Sequence, residues 1–192
     1  MNEKIIWRGK IGGVIEYTPE NQPNKRFERF ARPPGTRTII ISPKNKILLT
    51  KEFRQERGIY DYRLPGGKVF DTFDSWREAL EKEVDMFGTA TRGAKKEVKE
   101  EAAIEALDLK IYKLVGTGGP TVEWDLYYLT VEQFKILSGQ LLEEGEDITF
   151  EWYPIGDVIE KCFTGEIDEA RTAAVILQFL YSKKKFRWEL TS

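Results

Sequence analysis

Apolar positions in the first third of the chain come in short runs without helical spacing. Ile5-Ile6-Trp7, Val14-Ile15-Glu16-Tyr17 and Phe27-Glu28-Arg29-Phe30 are separated by Gly12-Gly13 and by Asn21-Gln22-Pro23-Asn24. Short aromatic and β-branched runs between turn residues predict strands. Pro33-Pro34-Gly35 punctuates the join to the next segment. Thr38-Ile39-Ile40-Ile41 and Ile47-Leu48-Leu49-Thr50 predict a hairpin across Pro43-Lys44-Asn45-Lys46. Arg63-Leu64 ends a further strand before Pro65-Gly66-Gly67.

The period then changes. Trp76, Leu80, Val84 and Phe87 recur at helical spacing, with Asp74 or Ser75 as the N-cap. Ala94, Val98 and Ala102 form a narrow apolar stripe on a second helix. Strands return at 111–115, 123–131 and 149–153, followed by helices at 155–163 and 168–183 with a break at Gly165. Strands interleaved with a few helices, in no regular βαβ order and without repeats, predict an α+β fold.

Composition narrows the chemistry more than the architecture. At 192 residues and 41% hydrophobic, the chain suits one domain, or one domain with an appendage. Thirty basic and 32 acidic residues nearly cancel, so no global field points to nucleic acid or membrane. The basic run Lys183-Lys184-Lys185 with Arg187 reads as a solvated helix end. No apolar run approaches the roughly 20 residues of a membrane span, and the N-terminus lacks a secretory pattern. The lone Cys162 fits a reducing, cytoplasmic setting and a small buried hydrophobe. Zero histidines exclude Ser-His-Asp and Cys-His catalysis and any imidazole metal site. A metal would be a hard cation held by oxygen: Mg²⁺, with Mn²⁺ as a substitute.

Oxygen donors cluster on the second helix. Glu97 lies three and four residues before Glu100 and Glu101, so all three share one face. Like charges at that spacing repel unless a cation sits among them. A solvated face, compensated by Lys95, Lys96 and Lys99, is the alternative. Upstream, the glycines of Leu64-Pro65-Gly66-Gly67 let backbone groups approach a ligand.

In these residues the chain resembles the Nudix family, whose signature joins a glycine through a spacer to Arg-Glu-hydrophobic-x-Glu-Glu-x-Gly on a helix. Gly67 takes the place of the glycine, and Lys96, Glu97, Val98, Glu100 and Glu101 take the helical half. The resemblance implies Glu97 and Glu101 as metal ligands, Glu100 in support, and the Gly66 carbonyl as a further ligand. The chain departs from the pattern in four ways. About fifteen extra residues precede Lys96, and Gly88 stands where the first glutamate belongs, leaving Glu83 or Asp85 as substitutes. Lys96 replaces the arginine and Ala103 the final glycine.

Over nearly its whole length the chain resembles the ADP-ribose pyrophosphatase branch of that family. This implies a Nudix fold with an N-terminal β subdomain at 1–35, which would pair two chains as a homodimer. The Nudix domain would span 36–192, with an inserted helix at about 72–90. Ile47 to Arg54 matches a strand ending in a substrate-holding arginine, and Arg54 and Arg57 would neutralise phosphate oxygens. Glu143-Glu144-Gly145-Glu146-Asp147 matches an acidic loop, aligning Glu144 with the general base and Glu146 with a metal-linked position. By charge alone that run is a solvated turn. Gly118, in Gly116-Thr117-Gly118-Gly119-Pro120, belongs either to a substrate-side loop or to a plain connection. The implied activity is Mg²⁺-dependent hydrolysis of a nucleoside diphosphate sugar, ADP-ribose to AMP and ribose 5-phosphate. Another diphosphate derivative, or a non-catalytic nucleotide-binding module, is the alternative.

Overall fold

A computed structural model of the chain describes residues 2–55, 57–142, 145 and 147–185. Among these residues the fold is mixed α+β, with four helices distributed around several sheets. The N-terminal sheet has the order β1-β2-β3-β9, built from β1 (Asn2–Arg8), β2 (Gly13–Thr18), β3 (Phe27–Ala31) and β9 (Val122–Glu123). The first three strands are those expected from the apolar runs. The fourth is supplied from far along the chain, and β3 pairs with it in parallel.

The expected hairpin between the next two strands does not form. β4 (Gly35–Ile40) instead pairs in parallel with β10 (Leu126–Val131), which pairs antiparallel with β8 (Lys110–Val115). β5 (Lys46–Arg54) lies in another sheet, between β12 (Ile148–Pro154) and β6 (Ile59–Arg63). The link between them is confined to the turn, where Ile41 bridges Ile47 and the Ser42 amide donates to the Lys46 carbonyl at 2.8 Å. All six residues of β4 are buried, so it must be covered on both faces, which a two-stranded ribbon cannot do. Short strands β7 (Ile104–Ala106) and β11 (Phe134–Ile136) pair antiparallel.

Alternating side chains sort the core into layers. Ile39, Ile47, Leu49 and Tyr128 pack toward α3 (Ile155–Thr164) and α4 (Ala170–Ser182), meeting Val158, Ile176, Phe179 and Leu180. Ile40, Leu48 and Val131 point to the opposite side and meet Val98 and Ala102 of α2 (Met86–Ala102). The alanine stripe lets α2 lie close: Ala90 and Ala94 pack on Tyr127 and Leu129. Cys162 is partly buried beside the first of these cores, and burial pushes its thiol up to about 12.

The helix α1 (Phe73–Glu81) departs from expectation in two respects. Its N-cap is Thr72, whose hydroxyl accepts from the Ser75 amide at 3.1 Å. Its buried residues are Phe73, Trp76 and Ala79, while Leu80, Val84 and Phe87 are exposed. The expected stripe fails because the helix stops at Glu81. Glu83 then turns into the left-handed region (φ 50°), and Asp85 caps α2 by accepting from the Gly88 amide. Phe73 and Trp76 pack with Ile15 and Ala31 beneath the N-terminal sheet. This helix therefore serves as the floor of that sheet. Among the described residues no helix is long and apolar enough to cross a membrane.

Candidate functional site

The segment leaving β6 passes through Leu64 and Pro65 into Gly66-Gly67 and is strapped along β4. Thr38 donates to the Pro65 carbonyl and Thr36 to the Gly67 carbonyl, each at 2.8 Å. Gly66 has φ 153°, and a Cβ there would lie 2.1 Å from the Thr36 carbonyl oxygen, so only glycine fits. A Cβ on Gly67 would meet a Glu97 carboxylate oxygen, also at 2.1 Å. The space that any larger residue would fill is taken by an acidic side chain.

Helix α2 aims its carboxylates into this loop. Glu101 accepts a hydrogen bond from the Gly66 amide at 2.9 Å, and Glu97, one turn earlier, rests on Gly67. The structure thus brings together Gly66, Glu97 and Glu101, residues 35 apart in sequence across the first and last. Glu100 lies alongside and pairs with Lys96 at 3.3 Å. Ala103 ends the helix in the left-handed conformation, at φ 51°, where the sequence pattern has alanine in place of glycine. Asp85 and Glu83 stand at the far end of the helix. At 1.5 Å per residue, Asp85 is roughly 18 Å from Glu97 along the axis, and its carboxylate is engaged as the cap of α2.

The acidic-loop residues Glu144 and Glu146 lie outside the described residues. The flank before those residues is tied to the C-terminal end of α2, and the Gln140 side chain links it to the flank after them. Leu141 donates to the Glu100 carbonyl at 2.9 Å, and the Gln140 amide reaches the carbonyls of Glu101 and Ile148.

The expected phosphate arginines are each paired with a carboxylate. Arg54 ends β5 and pairs with Glu52 at 2.7 Å. Arg57 pairs with Asp168 ahead of α4. Gly118 (φ 79°) lines a cavity of about 600 Å³ between the N-terminal sheet and the 116–120 loop. Its other walls include Tyr17, Arg29, Glu123 and Asp125. Arg29 is neutralised by Glu3 and Glu123, each at 2.6 Å. Burial and the neighbouring Glu123 raise Asp125 above the ordinary carboxylate range.

A charged network behind the glycine loop escaped the sequence pattern. Arg37, 7% exposed, sits mid-strand in β4 and donates to the carbonyls of Thr36 (2.9 Å) and Gly66 (3.2 Å). Its Nε faces Glu169 at 3.4 Å. Beside that ion pair, Glu169 accepts hydrogen bonds from Arg171 (3.0 Å) and Thr172 (2.9 Å). Burial alone would raise Glu169, but the charges of Arg37 and Arg171 outweigh it and hold the carboxyl below its usual range. The Trp124 ring is flanked by the guanidinium groups of Arg32 (4.4 Å) and Arg171 (4.5 Å). Burial, then the charges of Arg37 and Arg171, lower Arg32. The available signal was Thr36-Arg37-Thr38, a polar triplet opening an apolar strand.

The donors around Gly66-Gly67 are all oxygen, which suits a hard cation that takes one or two carboxylates and keeps several waters. Among the described residues, no three acidic side chains converge to hold an ion. Such an ion would rest on Glu97 and Glu101.

No family model matches the chain, and no curated protein matches its sequence. Among solved structures, the chain is similar to the crystal structure of an ADP compounds hydrolase, with a TM-score of 0.67 and 16% identity. The match covers 97% of this chain and 95% of that one, so the fold is shared from end to end.

Proposed function

We propose that this chain is a Nudix-type hydrolase that cleaves the diphosphate of a nucleoside diphosphate derivative, with ADP-ribose as the first substrate to test. The observation that carries the reading is the pair Glu97 and Glu101 seated against Gly66-Gly67. End-to-end likeness to an ADP compounds hydrolase supports it at the level of the fold. Glu97 and Glu101 would hold Mg²⁺ or Mn²⁺, which when bound neutralises phosphate charge and lowers the pKa of a coordinated water. Glu100 supports that pair, and a carboxylate of the acidic loop, Glu144 or Glu146, would accept the proton of the attacking water.

The cavity beside Gly118 fits the uncharged end of such a substrate. Its volume is in the range of small-molecule sites. Its carboxylates would repel phosphate but accept hydrogen bonds from ribose hydroxyls or a base amine. Arg54 and Arg57 border the reading as phosphate-side residues that would have to exchange Glu52 and Asp168 for substrate. A homodimer through the N-terminal sheet is part of the proposal. Its edge strand β1 exposes Ile6 and Trp7.

Turnover of ADP-ribose with Mg²⁺, quantifying AMP and ribose 5-phosphate beside Glu101→Gln, tests the reading. Gln still accepts from the Gly66 amide, so the loop keeps its shape while the charge is lost. Metal-dependent cleavage that drops by about 10²-fold or more in the variant is expected. Absence of turnover on ADP-ribose, other diphosphate sugars and dinucleotides would leave a nucleotide-binding module as the surviving reading.

A further inference from the structure

The Gly66 carbonyl belongs to the loop against which Glu97 and Glu101 are seated, and it already has a cationic partner. Arg37 reaches it from β4 at 3.2 Å, while the Glu101 carboxylate holds the amide of the same residue. We propose that the Arg37 guanidinium occupies the place of a cation at this carbonyl, so that Gly66 is not a metal ligand in this chain. The inference rests on the reading of Glu97 and Glu101 as the cation-binding pair.

Three observations support it. Arg37 is fixed: it is 7% exposed on a strand whose six residues are all buried, and Tyr128 of β10 lies opposite in register. Its charge is permanent, because guanidinium does not deprotonate in proteins. It has little freedom to withdraw, since Glu169 stands 3.4 Å from Nε and Thr36 accepts from the same Nη1 that reaches Gly66. Moving the guanidinium would break these contacts inside a packed strand. A divalent ion binds oxygen at about 2.1 Å. At the Gly66 oxygen it would therefore sit within roughly 5 Å of the guanidinium, a like-charge approach in a partly desolvated site. The favoured arrangement leaves the ion on the two carboxylates and water, displaced from the loop carbonyl.

Mn²⁺ binding, read from the free-ion electron paramagnetic resonance signal, tests this without reference to turnover. Wild type, Arg37→Gln, Arg37→Lys and Glu101→Gln are compared, with circular dichroism confirming the fold. Glu169 keeps Arg171 and Thr172 as partners in the Arg37 variants. Arg37→Gln should bind Mn²⁺ about tenfold more tightly or more, or gain an equivalent, because a like charge is removed. Arg37→Lys, which keeps the charge, should stay within about threefold of wild type. A folded Arg37→Gln with wild-type affinity and stoichiometry overturns the inference, while wild-type binding that is lost in Glu101→Gln preserves the carboxylate reading. No Mn²⁺ binding by wild type sinks the carboxylate reading and this inference with it. Should Arg37→Gln fail to fold, Mg²⁺ titration of wild type carrying [1-¹³C]glycine reads the same point. A Gly66 carbonyl resonance that keeps its position supports the inference, and one that shifts on coordination overturns it.

Discussion

Two residues show how far local chemistry departs from local preference. Glu83 is exposed at φ 50°, immediately after α1. The Val84 amide reaches the Ala79 carbonyl and the Glu83 amide the Leu80 carbonyl, the paired bonds of a glycine-type helix ending. A Cβ in that conformation is unfavourable by about 1 kcal/mol. Glu83→Gly should therefore raise stability by about that amount, measured by urea unfolding. Glu169 departs in the electrostatic sense. Its folded pKa is held below the unfolded value, so its contribution is fully present above the ordinary carboxylate range of about 4.3. That contribution is lost as pH falls through the folded pKa, because the unfolded chain takes up the proton first. Glu169→Gln should be clearly destabilised at pH 7, and the gap from wild type should shrink between pH 5 and pH 3. A gap that does not narrow in paired urea titrations would contradict the Arg37–Glu169–Arg171 account.

At the scale of elements, α1 does the work of a sheet partner. Phe73 is fully buried, and its ring fills the space beside Gly13, where a Cβ would lie 2.8 Å away. Its amide bonds to the Lys10 carbonyl, and Arg77 pairs with Glu3 of β1 at 3.6 Å. Removing a large ring from such a site combines lost burial with a cavity, a loss of about 3–5 kcal/mol. Phe73→Ala should show that loss in chemical denaturation. Leu80→Ala, on the exposed face of the same helix, should change stability by less than about 1 kcal/mol. Trp76, Leu80, Val84 and Phe87 suggested one continuous helical face in the sequence. The sequence could not show that Lys82 to Asp85 break the helix, because neither glycine nor proline marks the turn.

For the whole molecule, β9 and α1 bind the N-terminal sheet to the rest. Residues from the middle of the chain supply its fourth strand and its floor. The sheet has little core of its own beyond Ile15, Ala31, Phe73 and Trp76. It should lose its structure together with the remainder, in one transition. Tryptophan fluorescence and far-ultraviolet circular dichroism should give superimposable urea curves. A separate early transition would show that the sheet unfolds independently.

The sequence by itself determined the carboxylate ladder, the glycine pair and most helices and strands. These depend on spacing along a regular helix or strand and on residues whose backbone freedom is intrinsic. Glu97 and Glu101 share a helix face wherever that helix packs, and Gly66 was legible because its conformation excludes a side chain. Tertiary structure decided the partners. Backbone pairing carries little residue identity, so nothing local tells β4 to lie beside β10 and not β5. Likewise, whether Arg37 is a surface charge or a buried one depends on Glu169, which the fold alone delivers to it.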